Sequence, residues 1–168
     1  MRLDHAFFAR DVLAVAPDLV GKIICRRLSD GRVMRGIITE TEAYRGQEDL
    51  ACHARMGRTP RNDVMFGPPG HAYIYLIYGL HWLFNIVTGE ENDPQAVLIR
   101  ALEKPWDGPA KWTKAFSVTG SQNHLYLPES REIWLEEGKK NEVITAPRVG
   151  IDYAGEPWKS IPWRFIAK

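Results

Sequence analysis

The sequence predicts an α+β fold: a single domain over residues 1–168, with a curved, largely antiparallel sheet, a protruding β-hairpin and a few short helices. Three observations predict it. β-Branched and aromatic runs outnumber helical ones. Two pairs of those runs are joined by turns short enough for hairpins. No strand–helix–strand alternation runs through the chain, which argues against a doubly wound sheet. With 168 residues, 45% of them hydrophobic, the chain can bury one core and is short for two.

The elements follow in order. The opening segment reads as one or two short helices. Asp11 is placed to cap Val12, Leu13, Val15 and Ala16, and Gly21 suits the position just past Leu19 and Val20. Pro17 argues against one uninterrupted helix there. Residues 22–28 and 32–43 are β-rich and meet at Ser29-Asp30-Gly31, a hairpin turn signal. Residues 71–78 and 81–88 make a clearer pair around Gly79-Leu80, where glycine permits a positive φ. Residues 96–102 form a further strand. Asp107-Gly108-Pro109 opens a helix with proline in its first turn, and Trp112, Ala115 and Phe116 form its inner face. Prolines gather between Pro94 and Pro162, so the second half is expected to be loop-rich, with residues 148–151 and 163–166 as two short closing strands.

Charge and composition exclude several function classes. Lysine and arginine number 22 against 21 acids, a net charge of +1. That excludes a polycation holding nucleic acid by charge alone and leaves a local basic face open. Charges break every apolar stretch well short of about 18 residues, so no membrane-spanning helix is expected. An acid at Asp4 comes too early for a signal peptide. Cys25 and Cys52 make no disulfide framework, which points to a reducing intracellular compartment.

The most informative residue is Arg100, set in an otherwise apolar strand on the same side as Leu98 and Leu102. Facing water it is an edge-strand residue. Facing inward it needs a carboxylate, because buried charges are paired. Glu42, at the end of Gly36-Ile-Ile-Thr-Glu-Thr-Glu-Ala-Tyr44, is the natural partner, and Glu40 shares its parity and stays open. An arginine-paired carboxylate is expected to stay ionised and could accept a proton from water. On these grounds, losing Arg100 is expected to cost about 3–5 kcal/mol.

Tyr73 and Tyr75 share one strand face and Tyr78 falls on the other, beside the predicted hairpin tip. Tyrosine packs well in strands. An aromatic at a protruding tip is better explained as a wedge for something that stacks, with nucleic-acid bases the obvious partner. Arg55, Arg58 and Arg61 lie in a loop-like stretch with Thr59, either a solvated surface or a set of phosphate contacts. Cys52, His53, His71 and His81 offer a weak metal reading, with no Cys-x-x-Cys or His-Glu-x-x-His spacing. No Gly-x-Ser-x-Gly elbow is present.

Several ordered segments resemble the alkyladenine (3-methyladenine, N-methylpurine) DNA glycosylase family. They are Glu40-Thr-Glu-Ala-Tyr44, Ala51-Cys-His53, Gly57-Arg-Thr-Pro-Arg-Asn62, Met65-Phe-Gly-Pro-Pro-Gly70 and Tyr73-Ile-Tyr-Leu-Ile-Tyr-Gly79. The match continues through Asn85, Leu98-Ile-Arg-Ala-Leu-Glu103, Gly108-Pro-Ala-Lys111 and Arg148-Val-Gly150, covering nearly the whole chain. The resemblance implies that Glu42 activates the attacking water, which Arg100 and the backbone carbonyl of Val149 help to hold. It implies that Tyr44 on one side, with His53 and Tyr75 on the other, sandwiches an extruded base, and that Asn85 disfavours guanine. Tyr78 matches the wedge that replaces the flipped nucleotide. Thr59, Arg61, Leu80, His81 and Lys111 lie where the family meets the DNA backbone or groove.

The implied activity is monofunctional hydrolysis of the N-glycosidic bond of alkylated or deaminated purines in double-stranded DNA, by base flipping, leaving an abasic site. The lesion class is 3-methyladenine, 7-methylguanine, hypoxanthine and ethenoadenine. Neither metal nor other cofactor is called for. The expected state is a monomer, away from membranes, located with the DNA in the cytoplasm, or in the nucleus of a eukaryote. The alternative is a non-catalytic module that binds damaged DNA or RNA. Only Lys104-Pro-Trp-Asp107 separates the Arg-Ala-Leu-Glu strand from the Gly-Pro-x-Lys helix, a segment usually longer in the family. Leu80 stands where methionine is common.

Overall fold

The computed structural model describes all 168 residues. Eight antiparallel strands form one curled sheet, in the order β3-β4-β5-β2-β1-β6, with β8 also pairing β2 and β7 pairing β8. The strands are β1 (Ile23–Arg27), β2 (Val33–Arg45), β3 (Ala72–Ile77), β4 (His81–Val87), β5 (Gln95–Leu102), β6 (Ile133–Glu136), β7 (Val143–Ala146) and β8 (Arg164–Ala167). The helices are α1 (His5–Phe8), α2 (Val12–Leu19) and α3 (Pro109–Ala115). The α+β class, the antiparallel sheet and the two hairpins are as the sequence predicts. No helix is long and apolar enough to cross a membrane.

The 13-residue strand β2 organises the sheet. Its first half pairs with β1, and its second half lies between β5 and β8. The registers with β5 shift on either side of Glu40, which faces Ala101, whereas Thr41 faces Ile99 and Glu42 faces Leu98. Such an irregularity locally bends a strand and re-aims its side chains. Alternation then separates two roles. The Thr41 hydroxyl donates to the Ala16 carbonyl at 2.8 Å and fastens β2 to α2 behind the sheet. Glu40 and Glu42 share the opposite face.

The main core packs α2 and α3 against the sheet through Val12, Val15, Leu19, Ile38, Ile99, Trp112 and Phe116. The Trp112 indole donates to the Ile99 carbonyl at 2.9 Å, so the largest buried side chain also satisfies its polar end.

As the sequence predicts, Asp11 caps α2, accepting from the Leu13 N–H at 2.8 Å, and the break between the helices falls at residues 9–11. Other details differ from the sequence reading. Pro17 lies inside the last turn of α2, where its missing N–H removes a single helical bond before the helix ends. The inner face of α3 is Trp112, Thr113 and Phe116, and Ala115 is exposed. Thr113 is drawn in because its hydroxyl bonds the Trp82 carbonyl at 2.8 Å.

The closing strands are β7 and β8, while residues 148–151 form a loop, and the sequence reading did not find β6 at all. Finally, Tyr78 is not on a strand face. It sits in the hairpin turn with φ +53°, followed by Gly79 at φ +63°, and Leu80 N–H closes the turn onto the Ile77 carbonyl at 3.0 Å.

Candidate active site

The front of the sheet holds a cavity of about 340 Å³, within the range of small-ligand sites. Its lining includes Glu42 and Tyr44 from β2, Tyr73 and Tyr75 from β3, Asn85 from β4 and Arg100 from β5. His53 comes from a 3-10 turn at His53–Met56, Tyr78 from the hairpin tip, and Val149 and Tyr153 from the segment before β8. Residues separated by more than a hundred positions therefore meet here.

Glu42 is fully buried, at 0% exposure. Its Oε1 accepts from the Tyr44 hydroxyl at 2.9 Å and its Oε2 from the Val149 N–H at 2.7 Å. Val149 thus reaches Glu42 through its N–H. Burial lifts the Glu42 carboxyl above the usual carboxylate range, against the opposing pull of Arg100, the Val149 N–H and the Tyr44 hydroxyl, while Glu40 adds to the rise. The sequence reading expected Arg100 to dominate. It does not, because its Nη1 stands 3.8 Å from Glu42 Oε1, while its Nε lies 3.3 Å from Glu40 Oε2. The Arg100 side chain is 20% exposed, so this is not the fully buried pair to which about 3–5 kcal/mol applies. The cavity separates the two acids that parity left open: Glu42 lines it and Glu40 does not.

The aromatic wall is built by strand pairing. Tyr73 and Tyr75, two apart on β3, have ring centroids 5.3 Å apart. His53 lies 4.4 Å from Tyr75 and bonds Tyr73, with 2.8 Å between its Nδ1 and the Tyr73 hydroxyl. Asn85, opposite Tyr73 in register, donates to the Tyr73 carbonyl at 3.2 Å and is 3% exposed. Burial, with Arg61 and Arg55 nearby, pushes the His53 pKa down to about 4. The imidazole is neutral at physiological pH, and its π-face is available to an electron-poor ring.

That depression has a consequence for stability. Between about pH 6.5 and about pH 4 the unfolded chain binds a proton at His53 that the folded chain refuses. Stability therefore falls as pH drops through that window, by at most on the order of 3 kcal/mol from this residue. Urea midpoints measured across the window are expected to fall toward acid, and His53→Phe is expected to flatten the slope.

A family model described as "Methylpurine-DNA glycosylase (MPG)" matches residues 6–106 and 103–168. The chain belongs to the methylpurine-DNA glycosylase family. The two matched stretches meet at residues 103–106, where the sequence reading finds the chain short. Relatives from Methanocella arvoryzae, Anaeromyxobacter dehalogenans and Desulfitobacterium hafniense each bear the name "Putative 3-methyladenine DNA glycosylase". They are 44%, 44% and 42% identical, over 99%, 100% and 98% of this chain and 92%, 84% and 94% of their own lengths.

Among the residues expected to meet DNA, all but Tyr78 lie outside the cavity. Tyr78 and Leu80 are 91% and 70% exposed at the hairpin tip, with His81 exposed beside them. Arg61 is engaged with the protein: it stacks over the Tyr75 ring at 5.3 Å and donates to the Leu76 carbonyl at 3.2 Å. The Thr59 hydroxyl accepts from Asn62 N–H at 3.2 Å. Lys111 pairs with Asp107 at 3.0 Å and is otherwise solvated. His53, His71, His81 and Cys52 do not converge, and no group of three or more His, Cys, Asp or Glu side chains could hold a metal ion.

Two features of the site stand out among those that sequence reasoning does not find. One is Tyr73 as the partner of His53, although its shared face with Tyr75 was a usable signal. The other is the Arg148–Asp49 pair, fully buried at 2.6 Å with both side chains at 0% exposure. Arg148 also donates to the Ala43 carbonyl at 3.0 Å and lies against the rings of Tyr44 and Trp163 at 4.9 and 5.1 Å. Asp49 in turn accepts from the N–H groups of Arg45 and Ala51, each at 3.0 Å. The pair ties the loop bearing Val149 to the strand bearing Glu42.

Proposed function

We propose that this chain is a monofunctional DNA glycosylase that turns an alkylated or deaminated purine out of double-stranded DNA and hydrolyses its N-glycosidic bond. The single observation that carries the reading is Glu42, a fully buried carboxylate at an aromatic-lined cavity whose mouth bears the exposed Tyr78. A base inside a duplex is unreachable, and extruding it costs about a few kcal/mol. Tyr78 offsets that cost by filling the gap. Tyr44, His53 and Tyr75 hold the extruded ring, and Asn85 crowds the exocyclic amine of guanine. A methylpurine cation gains against these π-faces, and a neutral His53 adds no opposing charge.

As the bond breaks, the sugar takes on oxocarbenium character. Glu42 then orients and deprotonates the water and stabilises the positive charge. Its raised pKa suits the role, since a base works best with a pKa near the operating pH. The 3.8 Å separation of Arg100 Nη1 from Glu42 Oε1 is too long for a direct hydrogen bond and leaves both groups able to bind a water at the cavity. The Val149 carbonyl is the third group around that water, by the family resemblance. A glycosylase-lyase needs an amine nucleophile, and no lysine lines the cavity.

The test is release of free base from matched duplexes carrying 3-methyladenine, 7-methylguanine, hypoxanthine or ethenoadenine, with borohydride added in parallel. Base release with no trapped covalent adduct is expected. No release from any of the four overturns the reading. Tyr78→Ser is expected to weaken binding to lesion DNA by about tenfold or more, since aromatic stacking on a base is worth about 1–3 kcal/mol. Melting temperature is expected to be unchanged, because the ring is solvated.

A further inference from the structure

Arg100 has two acidic neighbours, and the nearer is not the cavity carboxylate. Glu40 Oε2 lies 3.3 Å from Arg100 Nε, and Glu40 Oε1 accepts from Arg164 Nη1 at 2.9 Å. Glu40 is therefore clamped between an arginine of β5 and an arginine of β8. Arg164 is itself fixed, its Nε donating to the Pro147 carbonyl at 2.8 Å, two residues before Val149. The three side chains are mostly buried, at 18–24% exposure, so their mutual geometry is constrained by packing as well as charge. The register shift at Glu40 aims its carboxylate at Arg100 from beside Ala101.

We infer that Glu40 is a positioning residue: held by Arg164, it draws the Arg100 guanidinium away from Glu42 and keeps the two beyond direct hydrogen-bond distance, so that both can hold the same water. The inference rests on the glycosylase reading, in which Glu42 and Arg100 share the attacking water. Without Glu40, the attraction that draws Arg100 away from Glu42 is lost and the guanidinium closes on the cavity carboxylate. A direct ion pair there replaces the water and makes Glu42 a weaker base.

The groups facing Glu42 define what a pH profile reads. They are Glu40 and Tyr44 on its own strand, Arg100 on β5, Tyr75 on β3, Arg164 as its register partner on β8, and the Val149 N–H beside Arg148. Removing the negative charge of Glu40 and admitting Arg100 act in one direction. Both favour ionised Glu42, so the acid limb of base release moves to lower pH.

The experiment measures single-turnover release of methylpurines from dimethyl sulfate-treated duplex between about pH 5 and about pH 8. Lesion-DNA affinity and melting temperature are measured alongside. Glu40→Gln is expected to slow release by about tenfold to 100-fold, the scale of a misplaced catalytic group. Affinity is expected to be retained and the acid limb displaced downward, and Glu40→Asp is expected to restore part of the rate.

Arg164→Gln, which keeps the Glu40 charge and removes its anchor, is expected to slow release in the same direction. The double variant Glu40→Gln/Arg164→Gln is expected to lose little more than the worse single one. Wild-type rate and acid limb in Glu40→Gln, or in Arg164→Gln should the first not fold, overturn the proposal. So does a slower variant whose acid limb stays in place while affinity and melting temperature fall together, the mark of a purely structural role. A wild-type protein that releases no base overturns the glycosylase reading, and this proposal with it.

Discussion

Glu42→Gln is expected to reduce base release by about 10³-fold or more, from the combined loss of a general base and of a charge that stabilises the oxocarbenium-like sugar. Binding of the damaged duplex is expected to persist. The substitution changes no shape, and the amide oxygen of glutamine can still accept the Val149 N–H that Glu42 Oε2 now accepts at 2.7 Å. Stability is expected to hold or to rise, because burial opposes the ionised form of this carboxyl. Single-turnover release, a gel-shift titration and a melting curve check the three parts. An active Glu42→Gln protein removes Glu42 as the base. Lost binding together with a lowered melting temperature reassigns it to structure.

The largest expected effect on stability lies at Arg148. Arg148→Met leaves the Asp49 carboxylate at 0% exposure without its partner, which costs about 3–5 kcal/mol. For a domain of this size that corresponds to a fall of roughly 10 °C or more in melting temperature. Adding Asp49→Leu is expected to recover part of the loss, since an apolar replacement of both partners removes the unpaired charge. Recovery stays partial, because the Arg45 and Ala51 N–H groups lose their acceptor. Activity is expected to stay low in the double variant. The Val149 loop has then lost its tie to the Ala43 carbonyl, and with it the N–H that holds Glu42. Equal stabilities of wild type and Arg148→Met refute the assignment.

How much of this was legible in the sequence depended on distance along the chain. The hairpins could be read because their signals are local: a glycine turn between runs of β-formers. Arg100 announced itself as one charge in an apolar strand. Glu42 was narrowed to a pair with Glu40, and period-two alternation could go no further. Separating them took the bulge at Glu40 and the pairing of β8, neither of which has a local signature.

Asp49 and Arg148, 99 positions apart, carried no mark that they would meet. From sequence Arg148 reads as part of a closing strand, whereas it is the buried anchor of a loop. The dominant effect on Glu42 is hidden from sequence for a related reason. Sequence can suggest a cation nearby, but the depth of burial is a property of the assembled sheet.

Tyr78 carries a further consequence. A tyrosine at φ +53° occupies a backbone region that suits glycine or asparagine and costs other residues on the order of 1 kcal/mol. Its ring, being solvated, recovers little of that by packing. Directed evolution for heat tolerance alone would therefore be rewarded for Tyr78→Gly or Tyr78→Asn. If Tyr78 is the wedge proposed above, such hardier proteins are expected to lose the ability to prise a damaged nucleotide from its stack, so that thermal robustness and repair competence pull in opposite directions at this one residue.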